Sequence, residues 1–159
     1  MPRTTSAIQS ELKQKRPFRS SQQEAALALM RTADVVRRRI AGVIEPRGIT
    51  LQQYNVLRII WGAGKDGIPT LDIAGRMIER TPGITRLLDR LEAKKLVRRK
   101  RCPTDRRQVL CWITEPGLRL LEELQGPVDQ ADHMAIGSLA VGDLERFIGL
   151  LDAVRQEVK

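Results

Sequence analysis

Residues 81–114 read TPGITRLLDRLEAKKLVRRKRCPTDRRQVLCWIT, and this stretch decides the fold. Ile84, Leu87, Leu88 and Leu91 recur at helical spacing while Thr85, Arg86, Asp89 and Arg90 fall on the opposite side, so one face packs and the other is free to read. Leu96-Val97 and the four basic residues after them predict a strand that turns at Pro103-Thr104-Asp105. Val109, Cys111 and Ile113 face one way along a return strand, which ends at Thr114, a residue suited to cap the next helix. Between positions 86 and 107 lie ten cations (Arg86, Arg90, Lys94, Lys95, Arg98, Arg99, Lys100, Arg101, Arg106, Arg107) against three anions (Asp89, Glu92, Asp105), most of the chain's formal net charge of +9. A basic run by itself is more often a solvated face than a site. Here the charge falls on a helix followed by a hairpin, an order of elements that can enter one groove of a DNA duplex and clasp the next, displacing counterions from phosphates.

The remaining composition agrees. A chain of 159 residues is about one domain, and with only 3% aromatics its core must come from Leu, Ile, Val and Ala, which suits helices. No stretch approaches the roughly 18 apolar residues of a membrane span, and the first twenty residues carry scattered charges instead of an apolar segment. A cytoplasmic protein without membrane attachment is expected. Cys102, Cys111 and the lone His133 make neither a disulfide framework nor a ligand cluster, so no metal and no cofactor are expected. Catalysis finds no support: there is no Gly-rich phosphate loop or nucleophile elbow, and His133 has only Asp129 and Asp132 nearby in sequence.

Working outward from the basic stretch, residues 1–20 hold five basic groups and one acid with no apolar period, which reads as a flexible basic arm. Ser21-Gln22-Gln23-Glu24 reads as a capping box opening a helix with Ala26, Leu29, Ala33, Val36, Ile40 and Val43 on one stripe, stopped by Pro46 and Gly48. Thr50-Leu51-Gln52-Gln53 is a second box, and its helix runs through Tyr54, Val56, Leu57 and Ile60 until Gly62, Gly64 and Gly67 break it. Thr70 is expected to cap a short helix over 71–78, and Thr81-Pro82 to start the third helix of a helix-turn-helix. Closed by the hairpin, this unit is a winged helix. Two more helices follow, over 118–135 with Leu121, Leu124, Val128 and Ala131 on a stripe and a kink expected at Gly126-Pro127, then over 144–158 with Leu144, Phe147, Leu151 and Val154. The fold expected is mainly α with a small β-hairpin.

The apolar stripes at the two ends of the chain lie outside a winged helix that needs only residues 50–114. Covering Leu29, Ala33, Val36, Leu144, Phe147, Leu151 and Val154 with a second copy would make a homodimer, matched to a pseudo-palindromic DNA site with half-sites about one helical turn apart. The other arrangement is a monomeric bundle around the winged helix. The dimer divides the chain into the arm (1–20), a dimerisation helix (21–48), a winged helix-turn-helix (49–114) and C-terminal dimerisation helices (115–159).

Ile84-Thr85-Arg86-Leu87-Leu88-Asp89-Arg90-Leu91-Glu92, together with Asp105-Arg106-Arg107 followed after six residues by Thr114, resembles the MarR family of bacterial transcription regulators, over about residues 21–158. The resemblance implies that Thr85, Arg86 and Arg90 contact the major groove or phosphates, that Arg107 enters the minor groove, and that Asp105 orients the wing by pairing with arginine. A guanidinium suits a narrow, strongly negative groove, and a carboxylate beside it can set its direction. Thr81, Arg99, Arg101 and Arg106 complete the candidate DNA-contact set. The resemblance also implies a repressor released by a small anionic or aromatic effector bound between the dimerisation helices and the winged domain. Tyr54, Arg58 and Trp61 fall at i, i+4 and i+7 on the second helix and offer an aromatic slot with a guanidinium, although aromatics at helical spacing are more often core.

Two positions depart from the family pattern. Lys94-Lys95 stands where the third helix usually ends in glycine, so Lys95 either enters the left-handed region at a cost or the helix ends differently. Cys111 takes a position usually held by an inward apolar residue and reads as a buried, inert thiol; Cys102, beside the wing turn, reads as exposed. The cations around Cys102 would favour its thiolate, so redox sensing is one alternative. Effector-independent architectural DNA binding is the other.

Overall fold

The computed structural model describes residues 6–157. The elements run α1 (Ala7–Glu11), α2 (Ser21–Ile44), α3 (Leu51–Gly62), β1 (Ile68–Pro69), α4 (Thr70–Arg76), α5 (Ile84–Ala93), β2 (Val97–Arg101), β3 (Val109–Ile113), α6 (Glu115–Ile136) and α7 (Val141–Glu157). Residues 1–5 of the expected arm, and the last residue of the helix expected over 144–158, lie outside the described residues. The chain divides into two units, Met1–Arg39 and Ile40–Lys159.

In the first unit, α1 gives the expected loose arm one short helical turn, and Arg31 Nε lies 3.6 Å from the Glu11 carboxylate. At the start of α2, Ser20 Oγ accepts from the Gln23 amide at 3.1 Å, and Gln23 Oε1 accepts from the Arg19 amide at 2.9 Å, so side chains satisfy backbone donors that the helix leaves open. No side chain from Ser21 to Arg39 is buried; Leu29 is 37% exposed, and Ala33 is exposed beside a half-buried Val36.

The second unit holds the core. Ile44 and Ile49 are buried on either side of a single 3-10 turn, Glu45–Arg47. Val56, Leu57 and Ile60 of α3 meet Ile73 of α4, Leu87, Leu88 and Leu91 of α5, and Leu121 and Leu124 of α6 in one apolar cluster. The α3 box forms as expected: Thr50 Oγ1 accepts from the Gln53 amide at 3.2 Å, while Gln53 Oε1 accepts from the Thr50 amide at 3.0 Å. Two other caps do not. Thr70 Oγ1 donates to the Val109 carbonyl at 3.2 Å, tying α4 to the sheet, and α4 stops at Arg76 because Met77 is extended. Thr81 Oγ1 donates back to the Glu79 carbonyl at 3.0 Å, and α5 starts from Gly83, whose φ of 95° provides the turn that Thr81-Pro82 was expected to make.

The hairpin is the larger part of a three-stranded antiparallel sheet ordered β1-β3-β2, with Ile68 opposite Cys111 and Arg99 opposite Cys111 on the other edge. The two-residue β1 was not expected. Gly67 feeds it at φ 78°, and a Cβ there would stand 2.5 Å from the Trp112 ring, whose Nε1 donates to the Lys65 carbonyl at 3.1 Å. Thr114 caps α6 as expected, accepting from the Gly117 amide at 3.3 Å. The α6 stripe, Leu121, Leu124, Val128 and Ala131, is buried within this chain, and the helix continues through the exposed Gly126-Pro127, where a carbonyl left without its amide partner can turn to water. In α7 no described side chain is buried: Leu144, Phe147 and Leu151 are half-buried and Val154 is 48% exposed.

Candidate nucleic-acid interface

The reading helix α5 is amphipathic as its spacing requires. Leu87, Leu88 and Leu91 are buried, Ile84 is half-buried, and Thr85, Arg86, Asp89 and Arg90 are exposed. Arg86 and Arg90 form no ion pair among the described residues, so both guanidiniums remain available to an outside anion. Arg76, the last residue of α4, and Arg80, between α4 and α5, are exposed and also unpaired among the described residues, and nothing in their spacing separates them from solvated surface cations.

The helix ends through its backbone. Lys95 takes φ 60°, its amide donates to the Glu92 carbonyl at 2.8 Å, and the Leu96 amide donates to the Leu91 carbonyl at 3.0 Å. This is a Schellman closure with lysine in the left-handed position where glycine would be unstrained. Leu96 is buried with Leu91, supplying the apolar contact that accompanies such a cap. Thr114 Oγ1 donates to the Lys95 carbonyl at 2.6 Å and the Thr114 amide to the Leu96 carbonyl at 3.1 Å, so the helix-to-strand joint is held from the far end of the hairpin. Lys94 Nζ donates to the Gly48 carbonyl.

The basic residues of the hairpin fall into three situations. Arg99 is committed inside the protein. Its Nε and Nη2 donate to Glu92 Oε2 at 3.0 and 2.6 Å, its Nη2 also to Asp89 Oδ1 at 2.6 Å, and its backbone amide to Glu92 Oε1 at 3.1 Å. Glu92 first, then Asp89, hold its guanidinium pKa above the ordinary value, against the opposing effect of burial. Two carboxylates therefore already hold the Nε and Nη2 edge of Arg99, a residue expected among the DNA contacts. Arg98 lies over the Trp112 ring at 4.5 Å, a cation–π stack between paired residues. Lys100, Arg101 and Arg106 are exposed and unpaired among the described residues.

At the wing tip, Asp105 builds the turn. Its Oδ1 accepts from the Arg107 amide at 3.0 Å, its Oδ2 from Gln108 Nε2 at 3.3 Å, and its carbonyl from the Gln108 amide at 3.0 Å. Arg107 Nε stands 3.5 Å from the same Oδ1, while its side chain is 93% exposed. Cys102 is half-buried instead of exposed, with Sγ 3.2 Å from Thr104 Oγ1; that hydroxyl, then the Asp105 and Thr104 backbone, hold its thiol below the ordinary value. Burial pushes the Cys111 thiol up, in keeping with an inert core group.

Arg58 and Trp61 come together, the guanidinium 5.3 Å from the ring centroid, and with Leu118, Leu121, Glu122 and Gln125 of α6 they line a recess of about 170 Å³. Tyr54 is not on its wall. It is a core residue whose hydroxyl pKa is raised by burial, against the lowering effect of Arg58. Among the described residues there is no His, Cys, Asp and Glu grouping able to hold a metal, and no helix long and apolar enough to cross a membrane.

A helix-turn-helix that bares an arginine face on its third helix and continues into a basic wing defines a winged-helix DNA-binding protein. The sequence profile of the MarR family matches residues 49–109. The chain is 30% identical over 103 residues to the transcriptional regulator HosA of Escherichia coli O111:H-, covering 65% of this chain and 75% of that protein. Among solved structures it is similar to a MarR transcription factor from Planctomyces limnophilus (39% identity, 86% of this chain and 99% of that one, TM-score 0.66). It is also similar to a cysteine-to-serine mutant of Escherichia coli MarR complexed with operator DNA (25% identity, 80% and 90%, TM-score 0.72). The chain belongs to the MarR family and is a transcription regulator, not an enzyme.

Proposed function

We propose that the protein is a homodimeric, sequence-specific repressor that binds a pseudo-palindromic operator through α5 and the wing and is released by a small aromatic or anionic molecule. The observation that carries this reading is the contrast at the wing tip: Arg107 is almost wholly exposed while Asp105 holds its backbone amide and stands against its Nε. A solvated charge needs no such support, whereas a guanidinium that must enter a narrow groove gains from being aimed beforehand. Arg86 and Arg90, unpaired on α5, face outward as major-groove or phosphate contacts. The exposed stripes of α2 and α7 support the dimer, since each bares apolar surface that a second copy can cover.

The wing is tested by two substitutions whose signs separate the readings. Arg107→Ala weakens specific binding, most on sites with A/T-rich flanks, and lysine substitutes poorly because its hydrated ammonium offers no planar fork. Asp105→Asn also weakens binding, although it removes a negative charge that repels DNA. If it tightens binding to every duplex, the carboxylate is only a turn residue and the wing is a diffuse cationic patch. Arg86→Ala costs about 1–3 kcal/mol at the cognate site and relaxes preference at one position of each half-site.

The recess of Arg58 and Trp61 is the candidate effector site. Its volume is below the roughly 300–1,000 Å³ of a drug-sized pocket, so it would admit one ring, with Arg58 facing a carboxylate. Titrating a phenolic acid against wild type and Arg58→Ala, with operator release as the readout, tests it. The lowered Cys102 thiol supports a second reading, redox release. Mass spectrometry after mild peroxide treatment separates the two, since a sensor thiol is oxidised at Cys102 while Cys111 stays reduced. An architectural protein would bind a palindromic promoter fragment and random duplex alike at one stated salt concentration.

A further inference from the structure

We infer that Arg99 is a positioning residue that locks the reading helix to the wing, so that the distance from Arg86 to the Arg107 finger is set by the protein before DNA arrives. This rests on the reading of α5 and the wing as the two DNA-contacting parts. Three observations lead to it. The Arg99 side chain is 20% exposed where that of Arg107 is 93% exposed, so the two arginines of one hairpin are in opposite states. Its guanidinium and its own backbone amide grip both oxygens of one carboxylate, Glu92, on the last turn of α5, and the guanidinium also reaches Asp89 one turn earlier. Arg99 lies at the centre of β2, in register with the buried Cys111. A link there acts on the whole hairpin instead of fraying with one end.

The arrangement also has a charge logic. Arg99 brings one positive charge against the two negative charges of Asp89 and Glu92, so the cluster as a whole does not attract phosphate. The wing therefore spends one of its cations on geometry. On the other side of the joint, Thr114 fastens Lys95 and Leu96 to the end of β3. Between these two fastenings the three residues joining α5 to β2 have little freedom, and helix and hairpin move as one body. An isolated exposed ion pair would do little here. A forked, half-covered pair that also binds the backbone resists both sliding and rotation of the strand.

Lys100 provides a matched control. It is the next residue on the same strand, exposed and unpaired among the described residues, so Lys100→Gln and Arg99→Gln remove the same charge from nearly the same place. Affinity for an operator duplex and for random duplex is measured across a salt series for both variants, and amide hydrogen exchange of residues 97–101 is followed in the free proteins. Lys100→Gln should weaken both duplexes alike and reduce the salt slope by about 1. Arg99→Gln should lower the operator-to-random ratio on the order of tenfold and speed exchange in residues 97–101. Arg99→Lys, which keeps the charge but not the fork, should show the same loss of ratio. Glu92→Gln should weaken the operator complex even though removing an anion favours DNA generally. The inference is overturned if Arg99→Gln and Lys100→Gln behave alike, or if Glu92→Gln tightens every complex. If wild type prefers no duplex, the sequence-specific reading fails instead, and exchange alone decides: unchanged protection in Arg99→Gln would still overturn the lock.

Discussion

In the winged unit Val56, Leu57, Ile60, Leu88 and Leu91 are at most 1% exposed, whereas along residues 21–39 of α2 and along α7 no described side chain is buried, although leucines, isoleucines and valines recur there too. α6 belongs with the first group. Its stripe was read as part of a dimer seam, yet Leu121 and Leu124 are spent on the core beside α3. The difference teaches that apolar spacing identifies a face to be covered without saying which molecule covers it. The winged unit covers its own faces, as a reading head that must hold its shape requires, while the terminal helices leave theirs bare, the surface that the proposed dimer would cover.

The comparison breaks most sharply at α7. Leu151→Asp or Phe147→Asp places a charge in the seam and should abolish both the dimer and tight operator binding, leaving the unfolding transition of the winged unit in place. If these variants stay dimeric, α7 is not the seam. Next in size, Leu88→Ala should cost about 2–5 kcal/mol in urea unfolding, by an amount independent of protein concentration, because that side chain is buried within one chain; a concentration-dependent loss would place the core across two. Gly67→Ala should cost about 1–3 kcal/mol, since a Cβ there meets the Trp112 ring and a non-glycine residue strains at that φ. Trp112 fluorescence should report the displacement. The smallest effect has the opposite sign: Lys95→Gly should stabilise by about 1 kcal/mol by relieving a left-handed lysine. Unchanged stability would mean that Thr114 and the closure of α5 already absorb the strain.

Much of this architecture was legible in the chain because its causes are local. The two faces of α5, the Thr50 box, the Thr114 cap and the turn at Asp105 each depend on residues within a few positions of one another. The misreadings share a different origin. Thr70 gives its hydroxyl to Val109, 39 residues on, and Thr81 turns back to Glu79, so two plausible caps were engaged elsewhere. β1 is two residues long, one of them a proline, too short for any alternation to show. Arg99 looked like its neighbours because charge carries no record of its partner. Only the fold, by bringing Glu92 and Asp89 to Arg99, separates this paired arginine from the exposed cations beside it.

The central claim is that two winged units are held by the terminal helices of two chains. Light scattering of wild-type protein over a dilution series into the micromolar range tests it most directly. The account predicts the mass of two chains throughout that range, falling to one chain in Leu151→Asp; a wild type with the mass of a single chain at micromolar concentration would contradict it.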